Sequence, residues 1–165
     1  MWLFFVSLCL FSLFYSAAVA ETTYEGVATV MQFRPLKQIS LAKRGHGNGT
    51  WYDGKDLLNA ACYDRNGMPR WDATINDMIG AMAMNGFEDC YKCLRVTNKK
   101  HRDLSITIMV VDKCAACRVG KAIDLTPAAF QRLAPEGNLQ LGVLDINWSP
   151  VSCDHLNHHP ELPDE

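Results

Sequence analysis

Two carboxylates sit where a carboxylate can do chemistry. Asp112 follows the alternating apolar run Leu104, Ile106, Ile108 and Val110, and by that parity its side chain points with theirs. A carboxylate on an apolar face must be hydrogen-bonded, paired or placed at the mouth of a groove. Asp124 stands between Ile123 and Leu125, just ahead of a helix signal. Its plain role is to fix a loop or helix start; its chemical role would be that of a general acid. Thr50-Trp51-Tyr52-Asp53 supplies a hydroxyl, two aromatic faces and an acid. Aromatic faces stack on sugar rings, and Tyr and Asp take sugar hydroxyls; the plain alternative is that Trp51 fills a core. The sequence has no Gly-rich phosphate loop, no Ser nucleophile elbow and no HExxH pair.

The cysteines offer a second chemistry. Cys90-x2-Cys93 and Cys114-x2-Cys117 have the spacing of a zinc ribbon. The compartment decides against it. Met1 to Ala20 carries no charged side chain, is short for a membrane span and ends in Ala18-Val19-Ala20, a small-x-small cleavage site. Residues 1–20 are therefore read as a secretory signal, and the protein as extracellular. Its removal takes Cys9 and leaves Cys62, Cys90, Cys93, Cys114, Cys117 and Cys153, an even set that an oxidising compartment turns into three disulfides. No metal and no cofactor is expected.

The 165 residues suit one domain. The net charge of -2 argues against a nucleic-acid binder driven by a basic field, and no later segment has the length of a membrane span. Residues 21–44 show no sustained period of two or 3.6 and end in Lys43-Arg44-Gly45; they are read as a leader, open to removal as a propeptide. Residues 45–153 hold twelve Lys/Arg and twelve Asp/Glu and form the domain proper. The tail 154–165 has four acids and no Lys or Arg, with His155, His158 and His159 among them, and is read as flexible.

Within the domain, strands are predicted at 104–111, at 141–148 with Leu144, Ile146 and Trp148 on one face, and at Leu94-Arg95-Val96 and Thr50-Trp51-Tyr52. Met78 to Met84 fits either strand or helix. One helix starts with Thr126 as cap and Pro127 in its first turn and stops before Pro135 and Gly137. Lys99 to Arg102 reads as a solvated turn. Asn48-Gly49-Thr50 and Asn147-Trp148-Ser149 are glycosylation sequons; Asn48, in a glycine-rich segment, is the better acceptor. Short strands with one or two short helices, stapled by disulfides, predict a mainly β barrel.

Six segments in order carry a resemblance. Gly49-Thr50-Trp51-Tyr52, Ala61-Cys62, Cys90-x-x-Cys93-Leu94-Arg95-Val96, Val111-Asp112-Lys113-Cys114, Ile123-Asp124-Leu125-Thr126 with Ala129-Phe130, and Gly142 to Cys153 resemble the six-stranded double-psi β-barrel domain of expansins, barwin-type and rare-lipoprotein-A-type proteins, nearest in layout to the single-domain loosenin group. The resemblance implies the pairings Cys62–Cys90 and Cys93–Cys153, leaving Cys114–Cys117. It also implies a groove for polysaccharide lined by Thr50, Trp51, Tyr52, Asp112 and Asp124.

In related family-45 endoglucanases the carboxylate matching Asp124 is the general acid. Inversion needs a second carboxylate ~6.5–9.5 Å away, and the position for it holds Gly54, with Asp53 one residue early and so on the other strand face. The resemblance thus implies a monomeric, secreted, non-hydrolytic binder that loosens a wall glycan of the cellulose, chitin or peptidoglycan type. The alternatives are a glycan-cleaving endoglucanase or lytic transglycosylase, and a secreted protease inhibitor or effector. The chain departs from the pattern at Tyr63 and Tyr91, where glycines follow the cysteines, and at Ala122 in place of a histidine.

Overall fold

The computed structural model describes residues 22–34, 51–53, 57–65, 73–154 and 156. In chain order the strands are β1 (Tyr24–Val30), β2 (Gln32–Arg34), β3 (Trp51–Asp53), β4 (Ile79–Met82), β5 (Cys93–Asn98), β6 (Ser105–Lys113), β7 (Ala122–Leu125) and β8 (Val143–Val151), with helix α1 (Pro127–Leu133) between the last two. Six of them close a barrel in the order β1-β7-β4-β6-β5-β8, while β2 and β3 form a two-stranded sheet. The pairs β1/β7 and β4/β6 are parallel; the other four are antiparallel. This is the predicted double-psi β-barrel.

Alternation builds β8: Leu144, Ile146 and Trp148 are buried, and Val143 and Asp145 between and before them are exposed. Strand β6 departs from alternation, since Ile108 to Asp112 are all buried. Its outer face is covered as well as its inner one. The Cys62 N–H donates to Val111 O (3.1 Å) and the Tyr91 N–H to Val110 O (2.7 Å), and the Cys62–Cys90 disulfide ties these two covering segments together. The Thr126 hydroxyl caps α1 by accepting from the Ala129 N–H (3.4 Å) and donates to Asp77 O (2.6 Å). The helix buries Ala129, Phe130 and Leu133. Asn98, buried at the end of β5, donates to Leu133 O and accepts from the Lys100 and His101 N–H groups, which fixes the exposed turn over 99–103. The ambiguous stretch around Met78–Met84 is strand β4.

The reading of 21–44 as a leader without a core element is corrected: Tyr24–Val30 is a barrel strand, bonded to β7 on one side and β8 on the other. The barrel therefore begins at Tyr24 and not within 45–153. The segment lacks a bulky apolar period because its closest-packed positions are small. Ala28 is fully buried, and a Cβ on Gly26 would lie 2.1 Å from Lys121 O. The strand predicted at Thr50-Trp51-Tyr52 exists as Trp51–Asp53, but it pairs with β2 outside the barrel.

The three disulfides are Cys62–Cys90, Cys93–Cys153 and Cys114–Cys117, as the resemblance implied. Cys90 and Cys93 leave for different partners, so the zinc-ribbon grouping is not formed. Tyr91, at one of the two departures, has φ 63°, a backbone conformation open to glycine and uncommon for any other residue. Its side chain is buried. No helix among the described residues is long and apolar enough to cross a membrane.

Candidate functional site

One cross-strand row assembles the site. Thr29 on β1 is in register with Asp124 on β7, Asp124 with Ala81 on β4, and Ala81 with Asp112 on β6. Residues in register share a sheet face, so Thr29 and both carboxylates lie on one face with the small, buried Ala81 between the acids. Asp112 and Asp124 are two strand spacings apart, about 10 Å between Cα atoms. Asp112 does not lie on the face that the parity of Leu104–Val110 predicts. A register shift between Gly80 and Ala81 leaves Val110 opposite Gly80 but sets Asp112 opposite Ala81. One extra residue in β6 reverses the alternation, and Asp112 joins the face of Asp124 rather than that of Leu104–Val110.

The two acids have different surroundings. Asp112 is 8% exposed, and its Oδ1 accepts the Ala61 N–H at 2.7 Å, so it fastens the segment over 57–65 to β6. Asp124 is half-buried. The Thr29 hydroxyl donates to its Oδ1, and its Oδ2 lies 3.1 Å from Cys114 Sγ. Burial lifts the Asp124 carboxyl above the usual carboxylate range; the Thr29 hydrogen bond opposes the rise and the Asp112 charge adds to it.

An open groove of about 490 Å³ lies at the Thr29–Asp124 end of this row, lined by Val27, Thr29, Gln32, Asp124, Arg118 and Lys121, with the Cys114–Cys117 disulfide in one wall; the buried Ala81 and Asp112 do not line it. Ala122, in place of a larger histidine, also lines it. Gln32 is in register with Trp51 and Phe33 with Tyr52. That places the backbone of the aromatic segment beside the groove's Gln32 end. Thr50, Asn48 and Gly54 lie outside the described residues. Asn147 sits within β8 between β1 and β5. Cys114, Cys117 and Asp124 offer atoms within 4.8 Å of one another, but sulfurs joined in a disulfide are not thiolate ligands.

Thr29, Val27 and Gln32 are not among the site residues expected from the sequence, because the whole of 21–44 reads there as a leader. The signal for them was the β-branched pair Val27 and Thr29, two residues apart and so on one strand face.

A carboxyl held above its ordinary range destabilises the fold once ionised. Its contribution is intact while it is protonated and is lost as the pH rises through its folded value. Asp124→Asn keeps an acceptor for Thr29 and removes the charge. It is expected to raise the Tm near pH 7 and to leave the Tm unchanged near pH 3, where the parent carboxyl is also neutral. Thermal unfolding of both proteins at the two pH values checks this.

The family profile described as the Barwin family matches residues 49–153. Expansin-like protein 3 of Dictyostelium discoideum is 33% identical over 86 residues, which is 48% of this chain and 24% of that protein. The chain thus spans about a quarter of that relative's length. The expansin of Clavibacter michiganensis has a similar fold: its apo structure matches with TM-score 0.51 at 22% identity, over 80% of this chain and 52% of that one. A mutant of the same expansin in complex with cellohexaose matches with TM-score 0.50 at 22% identity, over 79% and 51%. The Streptomyces papain inhibitor matches with TM-score 0.50 at 20% identity, over 82% of this chain and all of that one.

Proposed function

Because the chain belongs to the Barwin family and sets Thr29 and Asp124 along an open groove on its barrel, we propose that it binds a wall polysaccharide and loosens glycan–glycan contacts without cleaving them. The observation that carries this reading is the in-register pair Thr29 and Asp124 lining the groove. A glycan laid in the groove would meet a hydroxyl, a carboxyl and the two cations Arg118 and Lys121, all able to hydrogen-bond sugar hydroxyls. Support comes from the expansin whose structure was solved with cellohexaose and from the expansin-like relative.

The chemistry for hydrolysis is incomplete in this reading. Asp124, held above the usual range, can serve as an acid. An inverting reaction also needs a carboxylate free to activate water. Gly54 cannot supply one, and Asp112 is buried with Oδ1 committed to the Ala61 N–H. The pairing of two acids on one face is the observation that favours cleavage as a second reading, with Asp112 as the base. Secretion after loss of residues 1–20, and glycosylation at Asn48, belong to the same proposal; the three disulfides fit an oxidising compartment.

The test is a sedimentation screen against cellulose, chitin and peptidoglycan with a reducing-end assay on the same samples. Binding to at least one glycan without new reducing ends is expected. Reducing ends that appear with the parent and vanish with Asp124→Ala would replace the proposal by the cleavage reading.

A further inference from the structure

The Cys114–Cys117 disulfide pairs a buried with a half-buried sulfur, as the other two do, but differs from them in loop length, in lining the groove and in the acid beside it. It closes a sequence separation of 3, against 28 and 60 for the others, so it constrains the unfolded chain least. It forms part of the wall of an open groove. Its two sulfurs are unequal: Cys114 is 2% exposed, while Cys117 is half-buried at the groove, between the exposed residues Ala116 and Arg118. The buried sulfur is the one that faces an acid, with Asp124 Oδ2 3.1 Å from Cys114 Sγ. Arg118 and Lys121 line the same groove and would draw in an anionic thiolate.

We propose that Cys114–Cys117 is a thiol–disulfide exchange centre in which Cys117 takes the incoming thiolate, Cys114 is the leaving sulfur and Asp124 is its proton donor. A thiolate of a small or protein thiol attacks Cys117 Sγ. The S–S bond breaks, its electron pair goes to Cys114 Sγ, and the Asp124 carboxyl protonates that sulfur. The products are a mixed disulfide at Cys117, a thiol at Cys114 and the Asp124 carboxylate. A second equivalent of thiol, as its thiolate, then releases Cys117 and leaves with the first as a disulfide. The outside thiols are oxidised by two electrons and the protein disulfide is reduced by the same two. Burial of Asp124 supports the assignment because it keeps the carboxyl protonated to higher pH than an ordinary acid. The centre makes no demand on glycan binding and stands or falls apart from it.

The experiment is limited exposure of the full chain to reduced glutathione, alkylation of free thiols and mapping of the peptides by mass spectrometry. Cys114–Cys117 is expected to open about tenfold faster or more than Cys62–Cys90 and Cys93–Cys153, with the transient glutathione adduct on Cys117. Asp124→Asn is expected to slow the opening about tenfold or more, whereas Asp103→Asn, at an exposed acid of the turn over 99–103, leaves it within about twofold. A purely structural disulfide would show neither the adduct position nor this difference. Opening no faster than the other two bridges, an adduct on Cys114, or an unchanged rate in Asp124→Asn would each overturn the proposal; the first two are read on the parent protein and do not depend on any variant folding.

Discussion

A chain that begins at Gly45 is expected to lose its fold altogether and to aggregate. Strand β1 has four register pairs with β7 and six with β8. Removing it opens a barrel that has no edge among its six strands and exposes two, each a template for intermolecular pairing. It also uncovers the interior next to Ala28, where Ile123 and Ile146 are fully buried. At ~1 kcal/mol for each hydrogen bond lost, with the uncovered apolar surface added, the loss is of the order of a domain's whole ~5–15 kcal/mol of stability. Processing after Arg44 would then leave Tyr24–Val30 held in the barrel by its ladders instead of releasing a leader. Circular dichroism and size exclusion of the truncated chain check this, and a peptide of residues 22–34 added during refolding should restore soluble protein. A truncated chain that is folded and monomeric by itself would show that β1 is dispensable.

The second large effect concerns the disulfides, whose worth should follow the length of loop that each closes. Separations of 60, 28 and 3 give chain-entropy contributions of ~4.3, ~3.6 and ~1.6 kcal/mol. Cys93→Ser with Cys153→Ser should therefore destabilise most, by about 4 kcal/mol, since that bridge ties the start of β5 to the residues just after β8. Cys114→Ser with Cys117→Ser should cost less than half as much. Urea unfolding of the three double variants gives the order directly. Equal losses from the longest and the shortest loop would mean that native contacts around the sulfurs, and not constraint of the unfolded chain, set their value.

Much of this fold was legible because the residues that build it are of the expected kind. Leu144, Ile146 and Trp148 alternate as a half-buried strand should, Thr126-Pro127 opens α1 as a cap and first turn should, and six cysteines in order carry the pairing once the resemblance is taken. Strand β1 was illegible for a physical reason. Its fit against β7 depends on the absence of a side chain at Gly26 and on the small Ala28, and a period of bulky residues cannot report a strand made tight by small ones.

The face of Asp112 was illegible for another reason. A bulge belongs to a pair of strands, so the parity of β6 alone could not show the shift opposite Gly80 and Ala81. The candidate site was legible in Asp124 and Asp112 and not in Thr29, because the partner of Asp124 comes from the segment that looked least like a strand.

The central claim, that the groove along Thr29 and Asp124 holds a glycan, is tested most directly by the affinity of Asp124→Ala for the glycan that the parent binds best in the sedimentation screen. A hydrogen bond to a charged or strongly polar group contributes ~1.5–3 kcal/mol, so the variant is expected to bind roughly ten- to a hundredfold more weakly while keeping the parent's circular dichroism spectrum. Parent-like affinity in Asp124→Ala, and again in Thr29→Ala with Asp124→Ala, would take the groove out of the function.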